Sequence, residues 1–354
     1  MSAPRLTILI VNYNAWTDVT RLVETLAGSQ EVHTSRCEIV VVDNASDDPP
    51  PREFLGGGAD PRLVQHFRNE GFAAGVNAGW RASRGDWLLL LNPDIETDSG
   101  LPGRVLERIA AHSDRPEGPP GILGFGLRNP DGSHQPSVGA EPRLFRTLIE
   151  AFLPRASRKY RSSRKTRAGE VPWVTGACAL VDRRVLEAVG GMDEEFFLYY
   201  EEVAFAQSAR QRGFRVEFDP SIEVVHLRPL QNRPVPAWMR VITRHSKLLY
   251  FQKHRPRIEF DLLGRVVSVE ARIRALGSRR AGAHESAEAW DVIANLAGRM
   301  RHGERIVGRD IYELARALAS GPGAQSTGTL RPRISPGLAG TRRRKLTSAD
   351  VIDL

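Results

Sequence analysis

The sequence predicts an α/β fold whose first 95 residues build a largely parallel sheet. Three observations carry this. Continuous apolar runs at Ile8–Asn14, Cys37–Asp48 and Asp86–Asp94 read as strands buried on both faces. Segments of helical period separate them. Each run also ends in polar residues, and ligands of open α/β sheets bind outside the carboxyl ends of the strands.

Taken in order, ILIVNYN (Ile8–Asn14) is a short buried strand, after which Trp16, Val19, Leu22, Val23 and Leu26 recur at helical spacing. CEIVVVDNASDD (Cys37–Asp48) is a β-branched strand running into a polar turn. A Pro/Gly-rich loop leads to LVQHF (Leu63–Phe67), a Gly-rich segment and a small-residue helix ending near Arg84. Beyond Asp94 the order becomes mixed. Leu101, Val105, Leu106 and Ile109 mark a helix, and GILGFGLRNPDGS reads as a strand entering a turn at Asp131-Gly132. Leu144–Leu153 is an amphipathic helix, Trp173–Val181 one strand, and Asp182 the cap of a helix over Arg183–Val189. FRVEF and IEVVH are short strands flanking a turn at Asp219-Pro220. From Pro236 to Ser320 the pattern is helical, with Ile258, Leu262, Val266, Val269 and Ile273 marking one face. The Gly-, Pro-, Ser-, Thr- and Arg-rich end is expected to be disordered.

Of the 354 residues, 41% are hydrophobic and 26% charged, enough for at least one large core. Two cysteines, Cys37 and Cys178, exclude a disulfide scaffold and a thiolate zinc cluster. No apolar stretch approaches the roughly 20 residues of a spanning helix. The expected location is the cytoplasm, or the inner face of the cell membrane as a peripheral protein. The net charge is +8, and seven cations between Arg155 and Arg167 have no acid among them. Such charge suits acidic partners, either phosphorylated substrates or an anionic membrane surface. Nucleic acid is not expected, because no recognition motif is present and Tyr160 is the sole stacking residue in the cluster.

Asn and Asp are ordinary turn residues. Three successive strands ending in Asn12-Tyr13-Asn14, Asp43-Asn44 and Asn92 with Asp94 nevertheless point to a common ligand site. RNEGFAAGVNAGW (Arg68–Trp80) offers backbone amides and close approach to a phosphate or ribose. The first strand is followed by NYNAW rather than a glycine-rich turn, which argues against a nicotinamide oxidoreductase, and no Walker loop is present.

Six motifs now fall into one pattern. ILIVNYN, VVVDNASDD, NEGFAAGVNAG, LLLLNPD, VTGACALV and VGGMDEEFFLYYEE, in this order, resemble the inverting family-2 glycosyltransferases of GT-A fold, and the bacterial rhamnosyltransferase-like branch most. The resemblance covers about Thr7 to His226. It implies a GT-A domain with a mixed central sheet over 1–230, a C-terminal helical region over 231–320 and a disordered tail over 321–354.

The resemblance also implies roles. Val11, Tyr13, Asp43, Gly71, Asn77 and Asn92 would bind the nucleotide of a UDP- or dTDP-sugar. Tyr13 would lie against the base, Asp43 would accept its imide N–H, and Asn77 with neighbouring glycines would line ribose and diphosphate. Asp94 would be the last acid of a metal motif holding Mg²⁺ or Mn²⁺, with Asn92 in place of the first acid, and His226 a further ligand. Glu202 would be the catalytic base, with Glu201 before it, where relatives carry Glu-Asp. Val203, Ala204 and Phe205 stand where relatives often read Val-Asp-Leu. Trp173, Thr175, Gly176 and Asp193 would shape the pocket of a glycan or lipid-linked acceptor, Trp173 either stacking on a sugar or filling the core. Arg244, Lys247 and Lys253 could reach the diphosphate. The Leu144–Leu153 helix, through Leu144, Leu148, Ile149 and Phe152, together with the cations after it would dock on a membrane. The departures at Asn92, Glu202 and Ala204 suggest the alternative, a nucleotide-sugar-binding protein with impaired catalysis. Oligomeric state is not fixed by the sequence.

Overall fold

The computed structural model describes residues 5–55, 61–150, 167–229 and 235–320. The expected tail (321–354) and the cations from Arg155 to Lys165 lie outside the described residues.

The first half alternates strand and helix as expected. It comprises β1 (Leu6–Asn12), α1 (Trp16–Ala27), α2 (Gln30–His33), β2 (Cys37–Asp43), β3 (Arg62–Gln65), α3 (Phe72–Ala82), β4 (Trp87–Leu91), β5 (Ile95–Glu96) and α4 (Leu101–Ser113). There follow β6 (Ile122–Arg128), β7 (His134–Gln135), β8 (Val138–Gly139), α5 (Leu144–Glu150), β9 (Gly169–Glu170), β10 (Trp173–Val174), β11 (Cys178–Asp182), α6 (Arg183–Val189), α7 (Glu201–Gln211) and β12 (Val216–His226). Four helices complete the chain: α8 (Ala237–His254), α9 (Arg257–Arg280), α10 (His284–Arg301) and α11 (Gly308–Ser320).

The main sheet runs β3-β2-β1-β4-β11-β6-β12-β5. Strands β3, β2, β1 and β4 are mutually parallel, whereas β11 is antiparallel to both β4 and β6. The sheet is therefore mixed, as expected. Strand pleat divides its side chains between two cores. Ile8, Ile10, Ile39, Val41 and Leu89 face α1 and α4, while Leu9, Val40, Val42, Leu88 and Leu90 face α3 and the later helices. Helix α3 needs small residues because it lies directly on β1. A Cβ at Gly79 would come within 2.1 Å of Leu9 Cδ1.

Several expectations are corrected. The first strand ends at Asn12, because Asn14 takes φ 55° and turns the chain. Trp173–Val181 is two strands. β10 pairs with β8 in a separate two-stranded sheet, and β11 joins the main one. FRVEF, from Val216 on, and IEVVH lie on one strand, β12, whose register shifts between Asp219 and Glu223. Pro220, which has no N–H for a ladder, sits in that bulge. Asp182 does cap α6, its carboxylate accepting the Arg184 N–H at 2.8 Å. The α9 periodicity is helical, but the marked face points outward. Ile258, Leu262, Val266, Val269 and Ile273 are exposed, and a second stripe, Phe260, Leu263 and Val267 with Gly264, Ser268, Ala271 and Ala275, is buried. One core joins the sheet to Ile293, Ile311 and Ala315 of the C-terminal helices. Both cysteines are buried thiols. Among the described residues no helix is long and apolar enough to cross a membrane.

Candidate active site

The two metal-ligand candidates are brought together by sheet register. β5 pairs antiparallel with the end of β12, setting Ile95 opposite His226. The Leu227 N–H donates to the Asp94 carbonyl at 2.9 Å. His226 Nε2 consequently stands 3.3 Å from Asp94 Oδ1. Burial alone would raise the Asp94 carboxyl, but His226 and the Arg228 backbone N–H, 3.1 Å from Oδ2, outweigh it and hold the group below the usual range.

A third side chain joins them. Gln135 Nε2 lies 2.9 Å from His226 Nδ1, and Gln135 Oε1 is buried without a hydrogen-bond partner. Half a turn of this amide, which its shape permits, sets that oxygen on Nδ1–H. With an ion bound, that tautomer would give Nε2 a lone pair for it, in place of the N–H that supports the Asp94 carboxylate here. One carboxylate oxygen and one imidazole nitrogen, the ring oriented by a carboxamide, fit a divalent ion. No group of three or more His, Cys, Asp or Glu suited to a metal occurs among the described residues. An ion here would draw its remaining ligands from water and substrate phosphate, as Mg²⁺ commonly does.

At the ends of β1 and β2, polar side chains lock one another. Asn12 is fully buried and donates to Asp43 Oδ1 (3.1 Å) and Ser46 Oγ (3.0 Å), while its own Oδ1 accepts the Ala15 N–H. Ser46 also donates to Asp43 Oδ1, from Oγ at 2.6 Å. The Ser46 N–H adds a third bond to the same Oδ1 at 3.3 Å, and no described residue donates to Oδ2. The carboxylate is fixed in orientation and keeps one acceptor oxygen. Val11 lies under α3, where a Cβ at Gly75 would meet its Cγ1 at 2.6 Å.

The next segment ties donor side to acceptor side. Gly71 has φ +91° and caps α3. Any Cβ there would strike the Phe197 carbonyl oxygen at 2.4 Å, and the Phe72 N–H bonds that same oxygen at 2.9 Å. Asn77 is buried and bridges α3 to the 191–194 turn. It donates to Met192 O and Glu194 Oε1 and accepts the Met192 N–H, each at 2.8 Å. Its amide is thus committed to scaffolding rather than aimed at a ribose. The Asn92 N–H donates to Ala177 O at 3.0 Å, drawing the Thr175–Gly176 loop to the end of β4, and Gly176 faces the Phe72 ring.

Trp173 is only 2% exposed, its indole N–H donating to Ala140 O at 3.0 Å. The stacking alternative is therefore corrected, because this ring fills the core and offers no face to a sugar. Asp193 accepts the Glu195 N–H and pairs with Lys253, which also holds Glu195 at 3.1 Å. Arg244 is drawn elsewhere, to Glu270 at 3.0 Å and over Trp290. Glu201 and Glu202 are buried in the first turn of α7, where the helix dipole favours carboxylates. Tyr199 and Tyr200 directly before them have φ 68° and 70°. Consecutive left-handed non-glycine residues cost about 1–3 kcal/mol each, and strain of this kind gathers at sites of function.

The C-terminal helices add what the sequence did not reveal. Tyr312 of α11 stacks on Phe197 (centroids 4.2 Å apart), and its hydroxyl meets that of Tyr13 at 2.7 Å. Arg309 pairs with Glu70 at 3.5 Å. The Gly308 N–H donates to Glu195 O, and buried His245 bonds the Ile306 carbonyl, both at 2.8 Å. These partners lie too far along the chain for any local pattern to signal them, and Gln135 lies in a two-residue strand with no period to read.

Comparison with known proteins adds the following. The model of glycosyl transferase family 2 matches residues 7–190. An N-acetylglucosaminyl-diphospho-decaprenol L-rhamnosyltransferase of Mycobacterium tuberculosis is 30% identical over 239 residues, 62% of this chain and 75% of that protein. A low-salt glycan biosynthesis hexosyltransferase, Agl10 of Haloferax volcanii, is 27% identical over 285 residues, 78% of this chain and 86% of its own length. Among solved structures, GalNAc-T7 with UDP, GalNAc and Mn²⁺ aligns at TM-score 0.47 and 17% identity, covering 71% of this chain but 51% of that one. A likeness that loose carries no argument.

Proposed function

The chain belongs to glycosyl transferase family 2 and is a glycosyltransferase of GT-A fold, and from that premise we propose that it moves a hexosyl group, rhamnose first among candidates, from a UDP- or dTDP-sugar to a hydroxyl of a glycan or lipid-linked acceptor. The observation carrying this reading is the Asp94–His226 pair, 3.3 Å apart just beyond β4, at the same carboxyl-end edge of the parallel strands as the fixed carboxylate of Asp43. The rhamnosyl preference and the lipid-linked acceptor are supported by the name of the mycobacterial relative.

The residues divide the work. Tyr13 borders the base, and Asp43 Oδ2 accepts the imide N–H that uracil and thymine share. Asp94 Oδ1 and His226 Nε2 would hold Mg²⁺ or Mn²⁺, which when bound supplies Lewis-acid stabilisation of the departing diphosphate. Glu202 accepts the proton of the acceptor hydroxyl as its oxygen bonds the anomeric carbon. The bond to the diphosphate breaks on the opposite face, its electron pair leaves with the nucleotide, and the anomeric centre inverts. Glu201 orients the loop that presents the acceptor.

A thermal-shift panel of nucleoside diphosphates with and without Mn²⁺ tests the donor assignment. UDP or dTDP should stabilise the fold, by about 2.7 kcal/mol at roughly 100 times Kd, whereas NAD and ATP should not. Asp43→Ala should erase the preference for uracil or thymine. Equal binding of all nucleoside diphosphates by the wild type would overturn the base-reading role.

A further inference from the structure

The outward face of α9 is the least explained surface of the molecule. Ile258, Leu262, Val266, Val269, Ile273 and Leu276 are 42–68% exposed and follow one another at helical spacing along a single stripe. Together they leave roughly 500 Å² of apolar surface open, the size of the largest patch on a typical monomer and often functional. Phe145 of α5 is 77% exposed, and the preceding residue, Leu144, donates its N–H to Glu259 of α9 at 3.1 Å. A seventh large apolar side chain is thus exposed close to the start of the same helix.

Charge around the stripe has one sign left over. Every acid of α9 is engaged: Glu259 by Leu144, Asp261 by Arg257 at 3.1 Å, and Glu270 by Arg244 and Arg274. Arg265 and Arg272 flank the stripe and Arg280 continues its line. All three are exposed and form no ion pair with a described residue. A second copy fits poorly. Two such faces would set Arg265, Arg272 and Arg280 of one copy against those of the other, with every acid of α9 already engaged. An anionic lipid surface fits both features, taking the apolar stripe at the acyl boundary while the arginines reach lipid phosphates.

We propose that α9 lies along the headgroup layer of an anionic bilayer and is the docking element of this protein. This moves the docking expected of the Leu144–Leu153 helix onto a longer neighbour, whose full length is described. The proposal needs no transferase step, so the two can fail separately.

The test is co-sedimentation of the full chain with phosphatidylcholine vesicles, with and without phosphatidylglycerol, at low and high salt. The wild type should pellet with the anionic vesicles. The triple variant Ile258→Gln, Val269→Gln, Ile273→Gln should lose at least about tenfold in partitioning. Arg265→Gln with Arg272→Gln should lose about fivefold per arginine at low salt and little at high salt. Because all five side chains are exposed, melting temperature and nucleotide binding should match wild type in both variants. Absence of wild-type binding at low salt, or equal pelleting of the triple variant, overturns the proposal. So does a solution dimer that the triple variant dissociates while vesicles go unbound, since the face would then be a copy-to-copy interface.

Discussion

The hydroxyls of Tyr13 and Tyr312 meet at 2.7 Å, 299 residues apart in the chain. Tyr13 follows the first strand, at the place the resemblance gives to the nucleobase. Tyr312 belongs to α11, is 6% exposed and lies stacked on Phe197. Burial, followed by the neighbouring Tyr13, pushes the Tyr312 phenol up, so it remains a neutral hydrogen-bonding hydroxyl. The C-terminal helices therefore reach the residue proposed to border the base.

This relationship predicts a separable pair of effects. Tyr312→Phe removes the hydroxyl bond and keeps the stack, so donor KM should rise about fivefold with the fold intact. Tyr312→Ala also leaves a cavity beside Phe197 and should cost about 3 kcal/mol of stability. Donor titration and urea denaturation of the two variants check this.

The Gln135–His226–Asp94 chain predicts a metal phenotype from a residue that is not itself a ligand. Gln135→Leu removes the group that orients the His226 ring, so Mn²⁺ affinity should fall about 10- to 100-fold by calorimetry while melting temperature changes little. Asp94→Asn keeps size but removes charge, and transfer should collapse. Full transfer in EDTA would show both assignments to be wrong.

Acid should weaken the anchor of α11. Burial, only partly opposed by the Ile306 bond, drives His245 down to about 4 from 6.5. The unfolded chain thus takes up this proton first as pH falls. The stability concerned is fully present above pH 6.5 and drains away as pH drops toward 4, reaching a loss of about 2–3 kcal/mol near pH 4.5. Denaturation of wild type and His245→Asn at both ends of that window should show a steeper decline for wild type.

Much of the fold was legible because the buried strands β1, β2 and β4 are continuous apolar runs and α1 and α4 have one clean face each. Legibility stopped where pattern no longer distinguishes the options. Trp173–Val181 is one apolar run, yet the turn at Gly176 sends its halves into different sheets. On α9 two apolar stripes compete, one through Ile258, Leu262 and Val266 and one through Phe260, Leu263 and Val267, and periodicity alone does not say which of them packs inward. In the candidate site, Asp43 and Asp94 stood out as motif residues at strand ends, and His226 only through the position the resemblance gives it. Gln135 and Tyr312 were not, since each acts through a partner distant in sequence.

Glu202→Gln should lower kcat at least about a hundredfold with donor binding unchanged, because proton removal from a weak hydroxyl nucleophile contributes about 10²–10⁴-fold. Glu201→Gln should cost less. The reverse ranking would move the base one residue earlier, to the carboxylate nearer the strained Tyr199–Tyr200 turn.

Sugar transfer is read from product formation. Wild-type protein is incubated with Mn²⁺ and a panel of UDP- and dTDP-sugars, dTDP-rhamnose included, and a lipid-linked N-acetylglucosamine acceptor. The extended product is followed by mass spectrometry, with its anomeric configuration read by NMR. The expected product has inverted configuration and forms only with both metal and Glu202. Nucleotide-sugar binding with no transfer or hydrolysis of any donor would contradict it, and would mark the chain as a binding protein of the same fold.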